Sequence, residues 1–308
     1  MYDRQLSQII DQAFLRIAAE TAQASPFMAR EISAWMNTMH HKGPADYFKH
    51  PFSFPMLLLP WWAEKAIRPS PDTAFQADLA HSTINGYYYI RLIDNLMDGH
   101  ATVEMDLLPS LGYFHTQFQA AYQRHFEHDH PFWEFFKTAW FHSAAATMKD
   151  SSLTDLDQDQ FVQVAARKTY AARIPVAAVC YKCERIDLIP AWSQFLDSFG
   201  CWHQMWNDIL GWYGDGRNQN QTYFLSEVAR RKHPTESVTE WVIKGGFDWG
   251  IQLLKEWMAE SQRLASGLGS EDLAVYLGER ETMLLEQAER LATGLRGLAE
   301  LLDLPSQR

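Results

Sequence analysis

The sequence predicts an all-α protein, and three observations support this prediction. Apolar residues recur every three or four positions along most of the chain, which is the period of a helix with one buried side. No alternating apolar and polar pattern of useful length, as a half-buried strand would need, is present. Proline and glycine stand at the boundaries of the periodic segments, where helices commonly begin and end. With 47% of its 308 residues hydrophobic, the chain can form a sizeable helical core.

The predicted helices follow one another with few breaks. Residues 5–38 are expected to form one or two amphipathic helices, and residues 40–60, which contain four prolines and a glycine, a loop with short turns. Ser70 is the predicted cap of the next helix, which runs to about Asp98. Further helices are expected at about 103–127, 131–149, 155–181, 189–214, 222–232, 235–266 and 270–303, with a polar loop at 215–221. Because no repeat or linker interrupts the series, we expect one domain over residues 1–308.

Charge and cysteine content limit the kinds of partner and location. The 27 basic and 38 acidic residues give a net charge of −11, which does not favour nucleic acid, because phosphate contacts need clustered Lys and Arg. The amphipathic start lacks the features of a signal peptide, and no run approaches the ~20 apolar residues of a membrane-spanning helix. An odd, low count of three cysteines fits a reducing compartment. We therefore expect a soluble, cytoplasmic protein.

The first motif with chemical meaning combines Arg91, Asp94 and Asp98 at the end of an aromatic, apolar helix. Carboxylates four positions apart lie on one side of a helix and repel each other unless a cation lies between them. Magnesium takes oxygen ligands, often one or two carboxylates together with substrate phosphates, and a guanidinium suits a diphosphate. The alternative is a solvated charged face with an Arg–Asp pair.

A second motif lies in the segment predicted as helix 189–214 and the loop after it. Asn207, Gly211 and Asp215 fall at i, i+4 and i+8, with Asp208 close to that line and Gln204 one turn earlier. Such oxygens could hold a further magnesium ion; the alternative is a polar helix end running into a loop. If the two acidic helix ends face each other, they form the mouth of an aromatic cavity that suits a lipid-like diphosphate.

Together the motifs resemble the squalene/phytoene synthase family. Arg91, Asp94 and Asp98 match its RxxDxxxD pattern, and Gln204, Asn207 and Asp215 match its second region, QxxN followed by DxxxD. Asn220 to Phe224 is similar to the family's Arg-x-Tyr-Phe ending. Lys49 to Pro60 is similar to its basic segment before Leu-Pro, so that the resemblance covers about residues 45–230.

The resemblance implies the class I isoprenoid (terpenoid) synthase fold, a single-domain helical bundle with a central cavity, and Mg²⁺ as cofactor. It implies an isoprenyl diphosphate as substrate and three groups of site residues, of which the metal-binding and catalytic groups overlap. The metal ligands would be Asp94, Asp98, Asn207, Asp208 and Asp215. The diphosphate-binding residues would be Lys49, Arg91, Lys168, Gln204, Arg217 and Tyr223. The catalytic residues would be Asp94, Asp98, Tyr170, Asn207 and Asp215.

Two departures from the family pattern leave the reaction open. Gly211 replaces the first Asp of the second motif, and Gln221 replaces the Arg before Tyr-Phe. The resemblance favours transfer or coupling of the prenyl cation to a second substrate. Asn207, Gly211 and Asp215 also look like a degenerate metal motif of class I terpene cyclases, which makes cyclisation of one prenyl diphosphate the alternative. A further alternative is a family member that binds an isoprenoid without turnover.

Overall fold

The computed structural model of the chain describes residues 2–39, 43–97, 104–150 and 154–301. Every regular element within these ranges is helical, which confirms the predicted all-α class. The helices of the first half are α1 (Arg4–Ala24), α2 (Pro26–Thr38), α3 (Pro44–Lys49), α4 (Leu58–Ile67), α5 (Thr73–Met97), α6 (Glu104–Leu107), α7 (Leu111–Gln123) and α8 (Phe132–Asp150). Those of the second half are α9 (Gln158–Lys168), α10 (Arg173–Lys182), α11 (Ile189–Asn218), α12 (Tyr223–Arg231), α13 (Val238–Trp241), α14 (Phe247–Ser266) and α15 (Glu271–Leu301).

Side-chain caps decide where several helices begin. Ser25 separates α1 from α2 and accepts a hydrogen bond from the backbone N–H of Met28. At the start of α5, Asp72 accepts hydrogen bonds from the backbone N–H groups of Ala74 and Phe75. The cap is therefore Asp72 and not Ser70 as predicted, because the Asp72 carboxylate is the group that reaches the unpaired N–H groups of the first turn.

Several predicted boundaries differ from those observed. Helix α4 begins at Leu58 inside the predicted loop, since Pro60 lies in the first helical turn, where a missing N–H costs nothing. The predicted helix 155–181 is two helices, with a 3₁₀ turn at Tyr170–Ala172 between α9 and α10. Helix α11 continues to Asn218, so that Asp215 and Arg217 are helical and not in a loop.

Within the described ranges, none of the helices is both long enough and apolar enough to cross a lipid bilayer.

The helices cluster into two compact units, each discontinuous in sequence. The first unit comprises residues 1–141 and 171–192, and the second comprises residues 142–170 and 193–308. That the chain is a single domain stays a prediction.

Helix α5 is the centre of the first unit, where α1 and α7 pack against it. Tyr88 of α5 is buried against two rings, with centroids 5.7 Å from Trp35 and 5.9 Å from Phe114. A Cβ atom at Gly86 would lie 2.9 Å from the ring of Phe118, so glycine permits the close contact of α5 with α7. These contacts fix the helix that carries Arg91 and Asp94.

A polar network also joins α1 to α5. Arg16 donates to Glu20 at 2.7 Å and to Asp78 at 3.0 Å, and Glu20 lies 3.0 Å from the Nε2 atom of His81. His81 is fully buried, and its burial, together with the charge of Arg16, lowers its pKa from 6.5 to about 4. The folded protein therefore keeps His81 neutral where an unfolded chain would protonate it.

We expect this histidine to make the protein acid-sensitive. Because the folded-state pKa lies below the unfolded one, the folded state binds fewer protons between these values, so stability is lost as the pH falls from 6.5 towards 4. The loss attributable to His81 is about 3 kcal/mol over that window. Urea unfolding of the wild type and the His81→Gln variant from pH 4 to 7 measures it. The exposed His128→Gln variant is the control; a pH slope unchanged in His81→Gln would contradict the assignment.

Helix α11 runs through the second unit and is held by α14 and α15. A Cβ atom at Gly250 of α14 would lie 2.9 Å from the side chain of Ile209, so these two helices touch closely. From α15, the fully buried guanidinium of Arg280 lies 5.4 Å and 5.7 Å from the ring centroids of Trp202 and Trp206. Such cation–π contacts keep a buried cation next to aromatic rings. They fix the part of α11 that directly precedes Asn207.

Candidate functional site

Four predicted site residues and Gly211 share one face of α11. At 100° per residue, Gln204, Asn207, Asp208, Gly211 and Asp215 fall within about 100° of arc around the helix axis. We call these five residues the acidic stripe. Asn207 lies at the exposed edge of the stripe, and Asp208 lies at the buried edge with 4% of its surface exposed. Adjacent residues of the motif therefore occupy very different environments.

Asp208 is the most perturbed carboxyl of the stripe. Burial raises its pKa from 3.8 to about 7, and the negative charges of Asp215 and Asp150 act in the same direction. A hydrogen bond of 2.9 Å from the Gln204 amide and the positive charge of Lys168 oppose the shift. The net effect is a buried carboxyl with too little positive charge around it, which is a common property of functional sites.

Asp215 folds back along α11 over Gly211. A Cβ atom at Gly211 would lie 3.1 Å from the Oδ2 atom of Asp215, so the carboxylate lies close against the position that lacks a side chain. Its Oδ1 atom accepts a hydrogen bond of 3.1 Å from Asn220. The glycine at position 211 thus leaves room for the Asp215 carboxylate.

Lys168 comes to the stripe from the end of α9. Its ammonium donates to Asp150, the last residue of α8, at 2.6 Å. The next residue, Thr169, packs against Gly200, where a Cβ atom would lie only 2.6 Å from the Thr169 hydroxyl. Gly200 is one turn before Gln204 on the same side of α11. The contact therefore holds the C-terminal end of α9 against the start of the acidic stripe.

A methyl group at Gly200 should disturb this contact. Thr169 is β-branched and its hydroxyl donates to the Ala166 carbonyl at 2.8 Å, so it cannot move aside easily. We expect Gly200→Ala to destabilise the protein by about 1–3 kcal/mol. In the same helix, Gly214 has open space around its Cβ position, and Gly214→Ala should stabilise by about 0.5–1 kcal/mol. Urea unfolding of both variants tests this, and equal effects of the two substitutions would contradict the proposed packing.

The first motif lies on α5 in the first unit. Arg91 and Asp94 form an ion pair of 3.4 Å, with 45% and 27% of their side chains exposed. The rings of Tyr47 and Phe48 contact Tyr87 at 5.3 Å and 4.9 Å, which places α3 beside α5 one turn before Arg91. Asp98 lies outside the described residues. Because Asp94 and the acidic stripe belong to different units, the facing of the two acidic helix ends stays a prediction.

The other predicted site residues have varied surroundings. Lys49 forms an ion pair of 2.6 Å with Asp11 on α1. The ring of Tyr170 lies 5.8 Å from that of His142. Tyr223 is buried, with its ring stacked 4.8 Å from Phe161. Arg217 is exposed in the last turn of α11.

Asp150 pairs with the predicted site residue Lys168 but was not itself predicted from the sequence. It lies 18 positions before Lys168, and no recognised motif includes it. The signal that could have drawn attention to it is its place at the C-terminus of α8, where the helix dipole disfavours a carboxylate. A nearby cation offsets this unfavourable interaction, and here that cation is Lys168.

Among the residues that the structure describes, no three His, Cys, Asp or Glu side chains lie close enough together to bind a metal ion by themselves. The donors of the acidic stripe are nevertheless oxygen atoms with excess negative charge, which is the donor chemistry that magnesium prefers.

Compared with known protein families and with curated protein sequences, the chain has no significant match in either.

Proposed function

We propose that this protein is a Mg²⁺-dependent enzyme with the class I isoprenoid synthase fold, which ionises an allylic isoprenyl diphosphate and transfers the prenyl group to a second substrate. The observation that carries the proposal is the buried Asp208 carboxyl, whose pKa is raised by burial and by the negative charges of Asp215 and Asp150, with Lys168 opposing them. Ordinary core packing does not require a carboxyl in such a place, since an isolated buried charge is costly.

The proposal assigns complementary tasks to the two motifs. Asp94, Asp98, Asn207, Asp208 and Asp215 would hold Mg²⁺, which supplies the positive charge that stabilises a departing diphosphate. Lys49, Arg91, Lys168, Gln204, Arg217 and Tyr223 would bind the diphosphate oxygens and orient the leaving group. Tyr170 would add an aromatic ring, whose negative face stabilises an allylic cation.

Cyclisation of a single prenyl diphosphate is the second candidate. The observation that favours it is the placement of Asn207, Gly211 and Asp215 on one face of one continuous helix, with the Asp215 carboxylate lying against Gly211. That spacing is similar to the metal motif of class I terpene cyclases. Both candidates share the ionisation step and differ in what captures the cation.

The test is an assay of pyrophosphate release from geranyl, farnesyl and geranylgeranyl diphosphate, each with and without Mg²⁺. We expect release that depends on Mg²⁺ with at least one of the three substrates. Coupled C30 or C40 products would support prenyl transfer, and monomeric cyclic hydrocarbons or alcohols would support cyclisation. Absence of release from all three would overturn both candidates and favour a protein that binds isoprenoids without turnover.

A further inference from the structure

Helix α8 makes hydrogen bonds with both the main chain and the side chain of Lys168. The Ser143 hydroxyl donates to the Lys168 carbonyl at 3.2 Å, and seven residues later Asp150 accepts from the ammonium at 2.6 Å. Residues seven positions apart lie on the same side of a helix, so one face of α8 holds both the main chain and the side chain of this lysine. A lysine otherwise has a long, flexible stem with many rotamers.

The same region is docked on α11. Because Thr169 packs on Gly200, the lysine before it lies beside the middle of α11, one turn before the acidic stripe begins at Gln204. Lys168 and Asp150 keep 28% and 36% of their side chains exposed, so neither side chain is fully enclosed.

The last turn of α8 is an unfavourable position for the carboxylate of Asp150. Asp150 is the last described residue of α8, and the partial negative charge of the last turn of a helix repels a carboxylate. An ion pair that is one-third exposed contributes little to stability. Neither effect explains an acid at this position, whereas the orientation of Lys168 does.

We propose that Asp150 is a positioning residue that holds the Lys168 ammonium beside the acidic stripe, where Lys168 binds an oxygen of the substrate diphosphate. This inference rests on the proposed function. Asp150 does not touch the diphosphate, and it acts only through Lys168.

Calorimetric titration of the full chain with inorganic pyrophosphate in excess MgCl₂ tests the proposal. We expect Lys168→Met to weaken pyrophosphate binding about tenfold, as loss of a charge-assisted hydrogen bond does. Asp150→Asn should weaken it by a similar factor, and the double variant should be no weaker than Lys168→Met alone. Asp150→Glu, which keeps the charge, should restore part of the affinity.

The sign of the Asp150→Asn effect separates positioning from general electrostatics. Removal of a nearby negative charge by itself would strengthen the binding of an anion, whereas loss of positioning weakens it. Glu260→Gln, which removes the same charge from the exposed Glu260–Arg263 pair, is the matched control and should leave affinity unchanged. Tighter or unchanged binding in Asp150→Asn, or additive effects in the double variant, would overturn the inference alone. A wild-type chain that does not bind magnesium pyrophosphate would overturn the proposed function together with it.

Discussion

Replacement of Asp94 by alanine is expected to reduce Mg²⁺-dependent pyrophosphate release by about 1,000-fold or more, because it removes a carboxylate that holds the charge-stabilising ion. The same substitution should hardly change the free energy of unfolding. Within the described part of the chain, Asp94 pairs with Arg91 at 3.4 Å, and the two side chains are 27% and 45% exposed. Exposed pairs of this kind contribute roughly 0–1 kcal/mol. A large loss of activity without loss of stability is therefore the expected signature.

The control for this experiment is Glu134→Ala. Glu134 also forms an exposed ion pair with a basic residue three positions away, Lys137, at 3.0 Å, but it lies in no predicted site. We expect its activity to match that of the wild type. Assays of both variants should be accompanied by circular dichroism and by titration of the Mg²⁺ concentration. Equal activities of the two variants, or unfolding of Asp94→Ala, would refute the metal assignment.

The Asp208→Asn variant is expected to be more stable than the wild type at alkaline pH. The pKa of Asp208 is about 7 in the folded protein and 3.8 in the unfolded chain. A carboxyl with a raised folded-state pKa contributes stability that is fully present below the unfolded value and is lost as the pH rises through the folded value. Asparagine keeps the acceptor for Gln204 but cannot ionise.

The size of this effect should be large for one side chain. Between pH 4 and pH 8 the wild type should lose up to about 4 kcal/mol relative to Asp208→Asn, as the pKa difference dictates. Urea unfolding of both proteins at pH 5 and pH 8, without divalent cations, measures it. We also expect Asp208→Asn to lose activity, since Asp208 is a proposed Mg²⁺ ligand. A gain in stability together with a loss of activity is common when a costly charge is removed from a functional site.

Asp155→Asn is the matched control for pH dependence. Asp155 belongs to the same unit, pairs with Arg230 and is 70% exposed, so its removal should leave the pH profile of stability unchanged. If the stability difference between Asp208→Asn and wild type is the same at pH 5 and pH 8, the pKa of Asp208 is not raised in the folded protein. In that case the central support for the proposed site would be removed.

Local sequence patterns were sufficient for much of the helical framework. The prediction for residues 131–149 agrees closely with α8, and that for 222–232 agrees with α12. Breaks inside long periodic segments were missed, as at Thr169, because an apolar period of 3.6 continues across a short 3₁₀ turn. The extension of α11 to Asn218 was also missed, since its last turns are polar and carry two glycines.

The sequence by itself determined that the chain is helical and that Gln204, Asn207, Asp208 and Gly211 share one side of a helix. Both properties follow from residue spacing along a single segment. Only the tertiary structure decided that Asp208 is buried while Asn207 is exposed, and that Asp150 holds Lys168. Burial and charge pairing depend on side chains from other segments, and spacing within one helix carries no information about which segments pack against it.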